Sequence, residues 1–293
     1  MKSIIEAIKK NKTLVSDGAW GTFLHQQGLK PGECPELWNI THRDKVLLIA
    51  KSYIEAGADI ILTNSFGGHP IKLEHYGLQE RTTEINEAAA AISREAAGID
   101  QFVFGSMGPS GAMLMMGEIS EETLYKGFYT QAKALAKGGV DVICLETMSA
   151  IDEACLAIKA AKEATTLEIA CTFTFEKTVQ GTFRTMMGVS PADMVPAVKE
   201  AGASIIGANC GKGFDQMIYI VREIRKMDSS TPVLVHANAG NPVVKDGKTI
   251  FPETPQSMAS KVGELINSGA NIIGGCCGTT PEHIKAIAQE IKK

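Results

Sequence analysis

Aromatic residues are scarce in this chain. They make up 6% of its 293 residues, and only two are tryptophan. A site that caged a small cation between aromatic faces would draw on more of them. No apolar run approaches the roughly 20 residues that a membrane-spanning helix needs. Neither sign of charge dominates. Lys and Arg number 29 against 33 Asp and Glu, and the net charge of -4 offers no basic surface for nucleic acid. Low-complexity and linker-like segments are absent. Met1 to Lys12 is a charged amphipathic run rather than a signal peptide. Seven cysteines, an odd number in a long chain, do not read as a disulfide framework. They point to a reducing, cytoplasmic location with free or metal-bound thiols.

What is present is a recurring phrase. Ala56-Gly57-Ala58-Asp59, Gly138-Gly139-Val140-Asp141, Ala201-Gly202-Ala203-Ser204 and Ser268-Gly269-Ala270-Asn271 each close a helical pattern and precede a buried strand pattern. The strands that follow begin at Ile60, Val142, Ile205 and Ile272. Leu14 to Asp17, Phe102 to Gly105, Leu167 to Thr174 and Val233 to Ala237 supply four more. Helical patterns separate them: Arg43 to Glu55 after Thr41 as N-cap, Glu80 to Ala97, Ser120 to Lys137, Ala150 to Lys162, Pro191 to Glu200, Phe214 to Met227, Thr254 to Asn267, and Pro281 to Lys292. Eight strand–helix units over residues 1–293 predict an α/β chain folded as a single-domain (β/α)8 TIM-type barrel. An open doubly wound sheet is the alternative, but no Gly-x-Gly-x-x-Gly follows the first strand.

In such a barrel the active site lies at the C-terminal ends of the strands. Three of the seven cysteines fall there: Cys210 after strand six, and Cys276 and Cys277 after strand eight. Neighbouring side chains on a strand point to opposite faces. Adjacent thiols reach one point only where the chain leaves the strand, and Gly274, Gly275 and Gly278 permit that departure. Cys276 and Cys277 are either two small buried residues or, with Cys210, ligands of a metal, most naturally zinc. Three protein ligands with an open fourth position is the catalytic pattern. His236 is the alternative fourth ligand, which would make the site structural. An all-thiolate centre is too electron-rich to activate water well and suits a fourth thiolate, so the expected reaction is alkylation of a substrate thiol. Cys34, Cys144, Cys155 and Cys171 read as ordinary buried or surface thiols.

Two carboxylates share the expected rim. Glu146 follows the apolar run Val142 to Leu145, so it either pairs with a base or binds a cationic group of the substrate. Asp17 is a second binding candidate, or a turn residue before Gly18. Thr63, Asn64, Ser65 and Phe66 offer hydroxyls and backbone N–H groups to a carboxylate. A ligand with a thiol, an ammonium and a carboxylate, an amino-acid thiol, answers all three features. Met113, Met115, Met116, Met186 and Met187 follow strands three and five, as loop packing or as an adaptable apolar surface for a large cofactor or partner.

Asp17-Gly18-Ala19-Trp20-Gly21-Thr22, Leu62 to Gly67, Gly108-Pro109-Ser110-Gly111, Leu145-Glu146-Thr147, Gly207-Ala208-Asn209-Cys210, Asn238-Ala239-Gly240 and Gly274 to Pro281 together resemble the homocysteine S-methyltransferase family. The resemblance is to the homocysteine-binding barrel of cobalamin-dependent methionine synthase above all. It implies zinc on Cys210, Cys276 and Cys277 with the homocysteine thiol as fourth ligand. It also implies that Asp17 and Glu146 hold the amino group and that the Thr63–Phe66 loop holds the carboxylate. Gly18 and Asn238 complete the expected substrate-binding set. The sequence ends after the last helical pattern, without folate or cobalamin modules. A methylated corrinoid (methylcobalamin) carried by a separate protein is therefore the expected donor. S-methylmethionine as donor, or a corrinoid-linked demethylase subunit of the same fold, are the rivals. A barrel lyase with its metal on oxygen ligands would show His-x-His, which is lacking here. A subunit that only docks a corrinoid protein would need no zinc.

Overall fold

The computed structural model describes residues 3–11, 13–117, 119–245 and 248–293. The ends of the amphipathic N-terminal run, Met1, Lys2 and Lys12, lie outside them. Eight parallel strands form the ring: β1 (Leu14–Val15), β2 (Ile60–Leu62), β3 (Phe102–Met107), β4 (Val142–Met148), β5 (Glu168–Phe173), β6 (Ile205–Cys210), β7 (Val233–Ala237) and β8 (Ile272–Gly275). From β2 to β8 each strand pairs with the next in chain order, β8 pairs with β1, and an isolated bridge joins β1 to β2. The expected TIM-type (β/α)8 barrel is what the chain forms.

The recurring phrase is an αβ loop in all four places. Gly57, Gly139, Gly202 and Gly269 take φ of 101°, 103°, 112° and 110°, a left-handed conformation that glycine adopts without steric cost. Alternation along the strands then divides the side chains. Leu14, Ile60, Leu62, Phe102, Phe104, Val142, Cys144, Ala170, Ile205, Leu234 and Ile272 fill the barrel interior. Val15, Ile61, Val103, Ile143, Ile206, Val235 and Ile273 belong to the larger core beneath the helices. The N-terminal run forms a helix, Ile4–Asn11, whose Ile4 and Ile8 join the interior cluster. Close backbone approach matters most at Gly207, where a Cβ would sit 1.9 Å from the Leu234 carbonyl oxygen.

The joint between β1 and β2 is thin. Backbone pairing there is a single bridge, Ser16 to Ile60, with the Asp59 N–H donating to the Val15 carbonyl at 2.8 Å. Carboxylates supply the remainder: Asp59 Oδ2 accepts from the Val15 N–H at 2.9 Å, and Asp17 Oδ2 from the Leu62 N–H at 2.8 Å.

Two local expectations differ. Thr41 does not cap the helix Arg43–Glu55; His42 holds that position, and Thr41 ends a short helix, Trp38–Thr41, where its hydroxyl donates to the Leu37 carbonyl. The helix expected over Thr254 to Asn267 is two, Pro255–Ala259 and Val262–Asn267. The Ser260 hydroxyl takes the Ser257 carbonyl at 2.8 Å at the break, a local bond that competes with helix propagation. Two hairpins, Glu176–Lys177 with Phe183–Arg184 and Val243–Lys245 with Lys248–Ile250, interrupt the strand–helix alternation.

Candidate active site

Inward positions at the C-terminal ends of the strands surround a cavity of about 280 Å³. Continuing the interior rows by two residues brings Glu146 after Cys144, Asn209 after Gly207 and His236 after Leu234 to this layer. Asp17, Gly18, Thr63, Asn64, Ser65, Phe66, Glu146, Cys210, Cys276 and Cys277 all line the cavity. Asn238 does not. Its amide N–H donates to the Gly211 carbonyl at 2.7 Å, which braces the turn after Cys210.

The three sulfurs converge because two chain ends bend toward each other. β8 stops at Gly275, and the chain turns through Cys276 and Cys277. Cys210 takes a left-handed backbone, φ 62°, at the end of β6. Thr147 at the end of β4 does likewise, φ 63°. Such conformations cost a non-glycine residue about 1–2 kcal/mol and persist when the surroundings enforce them. Asn209 is the enforcing side chain. Its Oδ1 accepts from the Thr147 N–H and the Thr172 hydroxyl, both at 2.8 Å, while its Nδ2 donates to Thr147 Oγ1 at 2.7 Å and to Cys210 Sγ at 3.5 Å. The Cys276 turn is braced from below. Thr279 Oγ1 donates to the Cys276 carbonyl at 2.7 Å and accepts from the Ala19 N–H at 3.1 Å. Gly18 lets this happen, since a Cβ there would meet Thr279 Oγ1 at 2.7 Å and the Tyr53 ring at 2.9 Å.

The Sγ atoms of Cys210, Cys276 and Cys277 all lie within 4.8 Å of one another, with Cys210 and Cys276 at 3.3 Å. Tetrahedral zinc with bonds of about 2.3 Å spaces its sulfurs about 3.8 Å apart, so the donor set fits that metal after small side-chain adjustment. Among the described residues no histidine or carboxylate joins this group; His236 is not a fourth member. Hydrogen bonds from Cys210 and then Cys276 pull the Cys277 thiol below its ordinary value. All seven cysteines are free. Cys144 and Cys171 are buried in strands, and burial pushes both thiols up.

Two buried carboxyls face the same cavity without a cation. Asp17 Oδ2 accepts from Trp20 Nε1 at 2.9 Å as well as from Leu62. Glu146 accepts from the Ser106 hydroxyl. Burial pushes both carboxyls up to about 7, and proximity of Glu146 adds to the effect at Asp17. Among the described residues neither has a Lys, Arg or His partner. A cationic ligand group would stabilise both.

The Thr63–Phe66 loop is rigid for a visible reason. Thr63 and Ser65 hydroxyls bond each other at 2.5 Å, Ser65 Oγ donates to the Ser106 carbonyl at 2.7 Å, and Thr63 Oγ1 accepts from the Ser106 N–H at 2.9 Å. Those hydroxyls anchor the loop to β3; the N–H groups of Thr63 and Ser65 are taken by the Phe104 and Thr63 carbonyls, which leaves those of Asn64 and Phe66 for a ligand. Glu36 also lines the cavity and holds the loop from outside, its Oε1 accepting from the Gly67 N–H at 2.6 Å. Sequence reading missed Glu36, which sits in a loop about 30 residues before its partner with no local signal. It also missed Ser106 and the bracing role of Asn209. In the loops that follow β3 and β5, Met113, Met116 and Met186 are exposed; so is Phe66 in the cavity lining, with the Lys72 ammonium 4.7 Å above its ring.

Comparison with known proteins agrees along the whole chain. A sequence model of the family described as homocysteine S-methyltransferase matches residues 14–291. The methionine synthase of Mycobacterium tuberculosis is 30% identical over 97% of this chain and 25% of its own length. That of Mycobacterium leprae is 29% identical over 96% and 24%. The chain thus spans about a quarter of these curated relatives. Among solved structures, the metallated form of the homocysteine methyltransferase MmuM from Escherichia coli superposes with a TM-score of 0.80 at 22% identity, covering 97% of this chain and 98% of that one. No helix among the described residues is long and apolar enough to cross a membrane.

Proposed function

This chain belongs to the homocysteine S-methyltransferase family, and from that premise we propose that it methylates homocysteine to methionine on a zinc site, with a methylated corrinoid as donor. One observation carries the reading: three sulfurs converge in the same cavity as two buried carboxyls that lack a cation.

Cys210, Cys276 and Cys277 would hold the zinc. When bound, zinc lowers the pKa of a substrate thiol and keeps the thiolate nucleophilic at neutral pH. The protein does the rest. Asp17 and Glu146 take the ammonium of homocysteine, which supplies the missing positive charge. In the Thr63–Phe66 loop the backbone N–H groups of Asn64 and Phe66, the two without a partner among the described residues, take its carboxylate. Asn209 fixes Cys210 and the Thr147 turn beside Glu146, so thiol and ammonium are oriented by one braced unit. The apolar walls exclude water from the reacting sulfur, and the thiolate is left to attack the donor methyl in line. Seven free thiols suit a reducing cytoplasm.

The donor reading rests on the loops after β3 and β5. Met113, Met116 and Met186 present adaptable apolar side chains to solvent from them, a surface suited to engaging and releasing a large flat ring and its carrier module. The test supplies homocysteine with methylcobalamin, with a methylated corrinoid protein and with S-methylmethionine. Methionine formed from the corrinoid donors supports the reading. Turnover with S-methylmethionine and none with a corrinoid reverses it.

A further inference from the structure

His236 lies on β7, between the strands that deliver Cys210 and Cys276, in register with Asn209 on one side and Gly274 on the other. It lines the cavity and is 2% exposed, and its Nε2 is buried with no hydrogen-bond partner among the described residues. The polar side chain in register on β6 and the hydroxyl that follows β1 are already committed. Asn209 is bonded to Thr147, Thr172 and Cys210, and the Ser16 hydroxyl to Asp17. Gly274 makes room for the ring: a Cβ there would lie 3.0 Å from His236 Cδ2 and 2.7 Å from the Asp17 carbonyl oxygen. The imidazole therefore packs over Gly274, next to the Asp17 backbone carbonyl, in the wall of the cavity that Asp17 and Glu146 also line.

We infer that His236 is a specificity residue for the amino group of the substrate, a neutral hydrogen-bond acceptor that joins Asp17 and Glu146 around a primary ammonium. The inference rests on the proposed ammonium site and deepens it. Three N–H bonds of an ammonium call for three acceptors, and three of the four carboxyl oxygens are already bonded within the protein, Asp17 Oδ2 to Trp20 and Leu62, Asp17 Oδ1 to Ser16 and Glu146 Oε1 to Ser106. A ring buried without a partner is destabilising until one arrives, and burial holds this one neutral by lowering its pKa to about 4. A protonated ring would repel the ammonium; a neutral ring accepts from it.

The experiment compares homocysteine with 4-mercaptobutyrate, the same thiol acid without the amino group, by calorimetric titration of the zinc-supplemented protein. His236→Phe should bind homocysteine at least fivefold more weakly and 4-mercaptobutyrate unchanged, with zinc content unchanged. His236→Gln, which retains an acceptor, should recover part of the loss. Equal weakening of both thiols assigns the ring a packing role and overturns the inference, as does no weakening of either. A parent that fails to prefer homocysteine refutes the ammonium site itself, which separates the two failures. Independently of any variant, the ¹⁵N resonance of the unprotonated ring nitrogen of His236 in the parent should move upfield with homocysteine and stay with 4-mercaptobutyrate. A resonance indifferent to both overturns the assignment even where His236→Phe does not fold.

Discussion

Replacing Glu146 with glutamine separates two consequences of one buried carboxyl. Glutamine keeps the shape and leaves an oxygen for the Ser106 hydroxyl, so the main loss is charge. In the free protein burial moves the carboxyl from 4.5 to about 7, and the nearby Cys277 adds to this. The folded chain therefore keeps this proton to higher pH than the unfolded chain does. As pH climbs from about 4.5 through 7 the unfolded chain ionises first, so the parent loses stability across that window and loses no more above it. Moving a group from 4.5 to about 7 corresponds to about 3 kcal/mol. Most of that difference falls between about pH 5 and pH 7. Glu146→Gln should gain roughly 2–3 kcal/mol relative to the parent over that interval, measured by urea denaturation of both proteins with chelator and reductant present. The same substitution removes a charge-assisted bond to the substrate ammonium, worth roughly 1.5–3 kcal/mol, so homocysteine binding to the zinc-loaded protein should weaken about 10- to 150-fold. Parallel stability profiles for parent and variant would show that the carboxyl is not held protonated by burial. Undiminished homocysteine affinity would remove Glu146 from the ammonium site.

Zinc content should fall from about one ion per chain to a trace on Cys276→Ser or Cys277→Ser, read by elemental analysis; a variant lacking all three cysteines that still holds its zinc refutes the site. Gly207→Ala should destabilise the chain by about 3 kcal/mol or more, because the new methyl meets the Leu234 carbonyl and the β6–β7 ladder must part. An unchanged denaturation midpoint would contradict the close approach. Met116→Glu with Met186→Glu should slow methyl transfer from a corrinoid protein by about tenfold, the effect of about 1.4 kcal/mol at an interface, and leave homocysteine binding alone. Equal loss of both would place these side chains in the substrate cavity instead.

Much of the barrel was legible because its punctuation is local. A glycine that ends a helix and must adopt positive φ leaves its mark within four residues, and Gly57, Gly139, Gly202 and Gly269 all do so. The strand ends then located the cavity, and with it Asp17, Glu146 and the three cysteines. Less legible were the groups whose partners are distant in the chain. Glu36 reaches Gly67, Asn209 reaches back to Thr147 and Thr172, and Asn238 turns under Gly211 rather than into the cavity. Nothing in the flanking residues of any of them encodes the partner. The split at Ser260 was hidden for the opposite reason: the apolar spacing continues across it, while one side-chain bond interrupts the backbone.

The thin joint between β1 and β2 bears on how this scaffold can be altered. Asp17 Oδ2 fastens that joint through the Leu62 N–H and also belongs to the cavity wall. A substitution there that admits a different ligand also unbuckles the barrel, so variants selected for new substrates should avoid this position even when it is the nearest to the change required. Glu146 bears no such double duty. It bonds a single serine hydroxyl, and a neutral side chain there relieves a buried charge. Laboratory evolution of the cavity should therefore travel through Glu146, while Asp17 remains fixed as the clasp of the ring, as do Thr63 and Ser65, whose hydroxyls tie their loop to β3.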